Sequence, residues 1–274
     1  MRVPDEIKKC VVFLGYQLAN GEFKFAGTAL FLGSEVNGHQ SSYLVTARHV
    51  IDNIYKLGLD TIWARLNKKG GGAEWRRTNA WRHPASDSSL DVAISPSVPI
   101  PEDDHLILHR EVALTPAVSA ELDVGVGDEV FITGLFANYA GKLRNVPIIR
   151  VGNLAAYPEE RIRVRLFGEM DAYLIEARSI GGLSGSPVFY NPGRVRVKNG
   201  LPLFATGLPF KLMGIIHGHY RRDLESDEPD AEGGGEVEAL NTGIAIVVPV
   251  GKILNFIDTV PSQLIAALIP KKSH

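Results

Sequence analysis

The chain has 274 residues, of which 45% are hydrophobic and 22% are charged, a composition typical of folded domains rather than of disordered chains. Its length suits one or two domains with cores of their own. The net charge of −2 provides no overall basic field, so we expect neither a nucleic acid nor a membrane surface as a partner. The single cysteine, Cys10, excludes an intramolecular disulfide.

The amino terminus predicts no targeting segment. Acidic residues interrupt the region that should be basic, and the apolar stretch at residues 10–16 is too short for a signal-peptide core. The longest apolar run near the other end, residues 243–251, is much shorter than a bilayer span. Together with the lack of disulfides, these features favour a cytoplasmic location.

Strand signals dominate the first hundred residues. Short β-branched or aromatic runs bounded by turn-forming residues predict six strands. They lie at residues 11–14, 27–32, 43–46, 61–66, 74–81 and 91–94. Four prolines between Pro96 and Pro116 then indicate an irregular connection. A second set of six follows at residues 127–132, 147–152, 172–176, 186–190, 212–216 and 244–248.

Two successive sets of six strands predict an all-β fold of two tandem six-stranded antiparallel β-barrels with a C-terminal helix. The predicted units are an N-terminal barrel at 1–112, a C-terminal barrel at 113–250, and a helix and tail at 251–274. Helical periodicity occurs at 49–55 and again over 253–268. Residues 223–238 hold eight acids and no basic residue, which predicts a solvated loop.

Three short motifs supply the parts that acyl transfer needs. The first, at 45–50, holds His49; the second, at 89–94, holds Asp91; the third, at 181–187, holds Ser184 in a glycine-rich turn. A hydroxyl nucleophile needs a base, a carboxylate that orients the base, and donors for the oxyanion. Each motif alone is a weak signal, because lone histidines and Ser-Gly turns are most often structural. The joint occurrence is a much stronger one.

Other carboxylates compete for the orienting role, and one other hydrolase fold must be considered. Asp87, Asp103 and Asp104 lack an apolar strand directly after them, which favours Asp91. An α/β-hydrolase would need G-x-S-x-G followed by the acid and then the histidine. Here Ser186 replaces the second glycine, and alternating βα units are not apparent.

With these motifs, the sequence resembles a trypsin-like (chymotrypsin-fold) serine peptidase of the disulfide-free bacterial type. The T-A-x-H motif matches residues 46–49, D-V-A matches 91–93, and G-x-S-G-S-P matches 182–187. The resemblance extends from about Val11 to the helix after Val250. It implies a site between the two barrels and protein or peptide substrates, with no cofactor and no metal.

The resemblance also implies a role for each site residue. Ser184 is the nucleophile, His49 the general base and then acid, and Asp91 the partner of His49. The backbone N–H groups of Gly182 and Ser184 form the oxyanion hole. Leu183 stands where zymogen-activated relatives have an acid that pairs with a new amino terminus, so we expect no activation through that ion pair. Any control would then come from elsewhere, such as the ordering of a loop or an activating partner chain without which the protease is latent.

The residues at the floor of the specificity pocket are predicted only from their distance along the sequence before Ser184. Arg178 and Ser179 fall where the family has its pocket-floor residues, and His217 lies on the strand that resembles the pocket wall. Such a pocket favours an acidic residue before the scissile bond. The alternative is that Arg178 pairs with Glu176 or points outward, and the acidic loop argues instead for basic peptides.

Two further hypotheses belong to other classes. The pair His217 and His219 invites a metal site, but zinc needs three or four ligands and Cys10 is remote in sequence, so no metal is predicted. A catalytically inactive binding module, a pseudoprotease, would have the same fold. Such a module would be expected to lose a triad residue or a flanking glycine, and none is missing.

Overall fold

The computed structural model describes residues 2–36, 39–78, 80–164, 167–177, 182–193, 195–198, 201–204, 210–221 and 241–260. Its first half is an antiparallel six-stranded sheet with the strand order β5-β4-β1-β2-β3-β6. The strands are β1 (Val11–Gln17), β2 (Phe23–Val36), β3 (His39–Thr46), β4 (Ile62–Asn67), β5 (Ala73–Thr78) and β6 (Ala93–Pro96). All six correspond to strands that the sequence predicted.

The chain leaving β5 returns to the opposite edge of this sheet. Arg82 and Ile94 exchange both backbone hydrogen bonds at 2.8 Å, so the segment after β5 bridges β6. This curls the sheet around a core that includes Leu14, Phe31 and Ile54. The predicted first barrel is therefore a curved six-stranded sheet, joined across its edges by one short bridge.

Strand β1 is buried on both faces, which explains its unbroken apolar sequence. Val12 and Leu14 point into the core of the first sheet. Phe13 packs instead with Leu135 and Ala140 of the second half. Because alternate side chains of a strand face opposite sides, β1 is shared between the two halves.

The second half is a closed antiparallel barrel in the order β11-β16-β15-β12-β7-β8. Its strands are β7 (Glu129–Gly134), β8 (Ile148–Ala156), β11 (Tyr173–Glu176), β12 (Pro187–Tyr190), β15 (Lys211–Arg221) and β16 (Asn241–Pro249). Two small hairpins, which the sequence did not predict, lie outside it. They are formed by β9 (Ile162–Val164) with β10 (Gly168–Met170), and by β13 (Val195–Lys198) with β14 (Leu201–Phe204).

The described part of the chain contains three α-helices besides the strands. Helix α1 (Arg48–Lys56) and helix α3 (Val250–Thr259) confirm the predicted helical periodicity, while the repeat beyond Val260 lies outside the described residues. Helix α2 (Pro116–Glu121) begins in the stretch predicted to be irregular. The side chain of Thr115 caps it by accepting the N–H of Val118, and proline fits the first helical position.

The all-β fold class predicted from the sequence is confirmed by the six-stranded sheet, the closed barrel and the terminal helix. The unit boundaries stay predictions. Strands β1–β6 precede the predicted division at 112/113, and α3 begins one residue before the predicted third segment. Within the described residues, no helix is both long and apolar enough to cross a bilayer.

Outside the candidate site, Asp103 is the most heavily bonded carboxylate of the described residues. Arg76 donates to both of its oxygens at 2.8 and 3.0 Å, and Lys68 adds a contact at 3.0 Å. The N–H of Ile100 donates to Oδ2 at 3.0 Å. Burial alone would raise the pKa of Asp103, but these hydrogen bonds outweigh it and lower the pKa to about 2.

We expect Asp103→Asn to lower the free energy of unfolding at pH 7 by about 2–3 kcal/mol, because Arg76 and Lys68 lose their buried anion and keep only the half-exposed Glu74. A pKa depressed in the folded state stabilises the fold above the unfolded value of about 3.9, and this contribution is lost as pH falls toward 2. Urea denaturation of the parent and the variant at several pH values from 7 to 2 measures both the loss caused by the substitution and the loss caused by falling pH. Asp5→Asn, at an exposed pair with Lys8, is the control and should change nothing. Equal effects of the two substitutions would contradict the prediction.

Candidate active site

His49 lies at the second position of α1, directly after β3. The helix buries Val50, Ile51 and Ile54 against the first sheet. This packing leaves the imidazole, 24% exposed, at the boundary between the two halves. The extended backbone of Ala47, which precedes the helix, sets the direction in which the first turn leaves the strand.

Asp91 is fully buried two residues before β6 and binds His49 twice. Its Oδ1 accepts the backbone N–H of His49 at 2.9 Å, and its Oδ2 is 2.7 Å from His49 Nδ1. Because an ionised carboxylate can only accept, Nδ1 carries the hydrogen and Nε2 is left as the free acceptor. Burial alone raises the pKa of Asp91, but hydrogen bonds from His217 and His49 outweigh it and hold the pKa well below its ordinary range.

His217, on β15, is a second imidazole on the same carboxylate. Its Nδ1 is 2.5 Å from Oδ2 of Asp91, so this nitrogen also donates. The His217 ring meets the His49 ring edge-on at a centroid separation of 5.3 Å and the Phe167 ring at 5.2 Å. The structure places Nδ1 of His217 on Asp91, and the predicted contact of His217 with an anionic substrate group stays a prediction.

Ser184 lies in a tight turn just before β12. Gly182 and Gly185 adopt positive φ angles of +98° and +81°, a region that favours glycine. A Cβ on Gly185 would lie 2.2 Å from both the Thr28 carbonyl oxygen and Thr46 Oγ1. Gly182 and Gly185 are therefore needed for the shape of this turn.

Hydrogen bonds from both halves hold the turn. Thr28 of β2 accounts for three of them: its N–H donates to the Ser184 carbonyl at 3.0 Å, its hydroxyl donates to the Gly182 carbonyl at 3.0 Å, and the hydroxyl accepts the N–H of Leu135 at 2.9 Å. From the second half, the Gly185 N–H donates to the Ile216 carbonyl at 2.8 Å. The first sheet thus holds a turn that belongs to the second barrel.

The side chain of Ser184 lies beside His217. Its Oγ donates to the His217 carbonyl at 3.3 Å, and among the described residues no hydrogen bond joins Oγ to His49. His49 and Ser184 thus contact the same residue, one through its ring and the other through its carbonyl. A rotation of Ser184 about its Cα–Cβ bond is needed to direct Oγ elsewhere.

The competing carboxylates are engaged away from this cluster. Asp87 accepts from the N–H and hydroxyl of Ser89, and Asp103 binds Arg76 and Lys68. Asp104 pairs with Lys9 and Arg144. Asp91 is the carboxylate that the described residues bring to His49.

Several residues singled out in the sequence lie outside the described residues. They are Arg178, Ser179 and Gly181, and the whole of the acidic loop at 223–238. The pairing of Arg178 with Glu176 and its place in a pocket therefore stay predictions.

Comparisons with known proteins agree with this architecture. No protein-family model matches the chain, and no curated protein matches it. The solved structure of Deg5 is similar with a TM-score of 0.52 at 14% identity, over 93% of this chain and 91% of Deg5. The HtrA-type protease AlgW with a decapeptide gives a TM-score of 0.52 at 16% identity, over 95% of this chain and 65% of AlgW.

The chain has the trypsin-like fold. Identities this low establish the architecture alone, and that agrees with the resemblance carried by the three motifs. What the site of this trypsin-like chain can do follows from its own residues.

We expect Thr28→Val to lower the free energy of unfolding by about 2–4 kcal/mol, because the Leu135 N–H and the Gly182 carbonyl each lose a buried partner. Thr28→Ser keeps the hydroxyl and loses one methyl group, so its loss should be near 1 kcal/mol. Chemical denaturation of both variants and the parent measures the difference. Similar losses in the two variants would show that the hydroxyl does not hold the turn.

Proposed function

We propose that this chain is a serine endopeptidase that cleaves peptide bonds through His49, Asp91 and Ser184. The observation that supports it is the buried Asp91, bound to both the backbone N–H and Nδ1 of His49. This arrangement fixes the tautomer in which Nε2 can take a proton. The turn of Ser184 is held at the same boundary between the two halves.

In the proposed reaction Ser184 Oγ attacks the substrate carbonyl while His49 Nε2 removes its proton. The imidazolium, stabilised by Asp91, then gives this proton to the leaving amine. Water, activated by the same His49, hydrolyses the acyl-enzyme. No metal or cofactor takes part in these steps.

The backbone around Ser184 supports the assignment of the oxyanion hole. The N–H groups of Gly185 and Ser186 donate to Ile216 and Leu183 carbonyls. Among the described residues, neither the Gly182 nor the Ser184 N–H donates to a backbone acceptor. The same holds for the N–H of Leu183 between them, so the free donors of this turn support, without singling out, Gly182 and Ser184 as the pair for a developing oxyanion.

An extended peptide fits the edge of β15 beyond Ile215. Strand β12 pairs with β15 only from Lys211 to Ile215, and β16 covers the other side. Beyond Ile216, no strand in the described part of the chain pairs with the side of β15 that β12 occupies before it. This side is also open in space, because a Cβ on Gly218 would have no atom within 4 Å. This edge can add a peptide strand next to Ser184, which supports protein or peptide substrates.

Two proposals concern the control of activity: the absence of activation by a new amino terminus, and latency relieved by a partner chain. Leu183 is buried in the core of the second barrel and cannot hold a new amino terminus, so activation does not proceed through that ion pair. The hydrogen bond of Ser184 to His217 gives latency no support, because a side-chain rotation takes picoseconds to nanoseconds. An activating partner chain, if one exists, would act on a different element.

We expect a fluorophosphonate probe to label the full chain and Ser184→Ala to abolish labelling and lower peptide hydrolysis by at least about 10⁴-fold. His49→Ala should lose a similar amount, because both groups serve one proton transfer. The matched control is Ser186→Ala, two residues away, whose buried hydroxyl has no hydrogen-bond partner among the described residues. Labelling that survives in Ser184→Ala contradicts the nucleophile, and a parent that never reacts favours the pseudoprotease.

The substrate preference proposed from Arg178 has its own test. If Arg178 faces the pocket, an acidic side chain before the scissile bond gains a charge-assisted hydrogen bond of about 1.5–3 kcal/mol, or roughly tenfold to a hundredfold in preference. A positional-scanning peptide library on the parent and Arg178→Ala measures it. An acidic preference unchanged in Arg178→Ala would assign the recognition to another residue.

A further inference from the structure

The oxygen Asp91 Oδ2 is the meeting point of two imidazole nitrogens that come from different halves of the fold. His49 Nδ1 arrives from α1 and His217 Nδ1 from β15. The ligand atoms of all three side chains lie within 4.8 Å of one another. Imidazole nitrogens with one carboxylate oxygen are the donor set that Zn²⁺ uses in open, three-residue protein sites.

We propose that His49, Asp91 and His217 form an inhibitory site for a first-row transition-metal cation. Zn²⁺ is the ion that we expect the site to bind under physiological conditions. The binding part of this proposal stands on the donor geometry alone. The inhibitory part rests on the proposed protease function. The two parts are therefore measured separately.

The electrostatics favour a cation at this position. Asp91 is buried and anionic, and the described residues give it no lysine or arginine partner. The described residues compensate its charge with hydrogen bonds from two imidazoles and one backbone N–H. A divalent cation would supply the opposite charge directly, and burial strengthens that interaction.

The geometry requires a small, local adjustment. The two nitrogen–oxygen separations, 2.7 and 2.5 Å, are hydrogen-bond lengths. Metal bonds of about 2.0–2.2 Å in a tetrahedral site place ligand atoms about 3.3 Å apart. The ligands must therefore separate by less than about 1 Å. The pairing of β15 with β16 changes register between Ile216 and Gly218, so His217 lies at an irregularity of the strand. The regular ladder of hydrogen bonds is interrupted at such a position, so it opposes a small backbone shift less there.

The cluster is accessible from the boundary between the halves. His49 is 24% exposed and His217 is 12% exposed, although Asp91 is fully buried. Water can then complete the coordination, as in open zinc sites. Nitrogen ligands select Zn²⁺ or its transition-metal neighbours over Mg²⁺ and Ca²⁺, which prefer oxygen.

Metal binding is incompatible with general base catalysis by His49. A neutral imidazole carries one hydrogen, so coordination through Nδ1 moves that hydrogen to Nε2. The Nε2 lone pair that would accept the proton of Ser184 is then absent. The metal replaces the two bridging hydrogens at Asp91, and removing it with a chelator restores the original tautomer.

The test is calorimetric titration of the full chain with Zn²⁺. We expect one Zn²⁺ per chain with a dissociation constant in the micromolar range, weakened at least about a hundredfold in His217→Asn. Asparagine keeps an N–H donor one atom beyond Cγ but offers no imidazole ligand. The control is His83→Asn, at an exposed histidine in the loop before Asp91, which should bind as the parent does.

Several results would overturn the site. The first is that the parent does not bind Zn²⁺ up to about 1 mM. The second is that the parent and His217→Asn bind Zn²⁺ with equal affinity, and the third is that His83→Asn loses binding. Should His217→Asn fail to unfold cooperatively, His49→Gln removes the ligand from the other half and decides the same question. A thermal shift with Zn²⁺, seen in the parent only, is the second readout of binding.

Inhibition is measured by peptide hydrolysis, each protein relative to its own rate without metal. In the parent, half-inhibition should occur at the calorimetric dissociation constant and be reversed by EDTA. A chain that binds Zn²⁺ but has no hydrolysis refutes the protease and leaves the metal site standing. A chain that hydrolyses peptides and is not inhibited at saturating Zn²⁺ refutes the inhibition alone.

Discussion

The buried carboxylate of Asp91 is the group on which the rest of the structure depends. Removing an ion from water costs several kcal/mol, so it must be compensated by hydrogen bonds. Three N–H groups do this: two from His49 and one from His217. Because one donor residue belongs to the first half and the other to the second, the carboxylate is fully satisfied only when the two halves are in place against each other.

Other hydrogen bonds between the halves also pair buried polar groups across the boundary. Thr28 joins β2 to the turn of Ser184, and Arg65 of β4 donates to the carbonyls of Gly141 and Lys142 at 2.7 Å. Such bonds are directional, so they fix orientation more strictly than the apolar contacts of Phe13 do. The proposed site, which needs His49 and Ser184 in register, thus lies where such directional bonds cross the boundary.

Much of this could be predicted from the sequence, because strands with buried faces leave strong local signals. The apolar runs of β1 and β16 and the periodicity of α1 and α3 are examples. The small hairpin β9–β10 was missed, since three-residue strands show no periodicity. Helix α2 was missed because Pro116 was interpreted as a breaker, although proline is well suited to a first helical turn.

The position of His217 could not be predicted for a different physical reason. On a regular strand, alternation would assign its side chain to a face, but the register of β15 shifts between Ile216 and Gly218. A one-residue shift exchanges the two faces, and sequence offset cannot detect it. The only available signal was a polar residue within an apolar strand, together with a buried carboxylate that needed another donor.

Asp91 requires a donor from β15, but it does not require an imidazole. A hydroxyl or an amide N–H at the same place would satisfy the same oxygen. What histidine adds is a nitrogen that can exchange its hydrogen for a metal ion, and it does so at the oxygen already shared with His49. In our proposal, the geometry that fixes the tautomer of His49 therefore also lets a metal ion compete for the position of the bridging hydrogens. Which of the two is present, hydrogen or metal, decides whether His49 Nε2 is free.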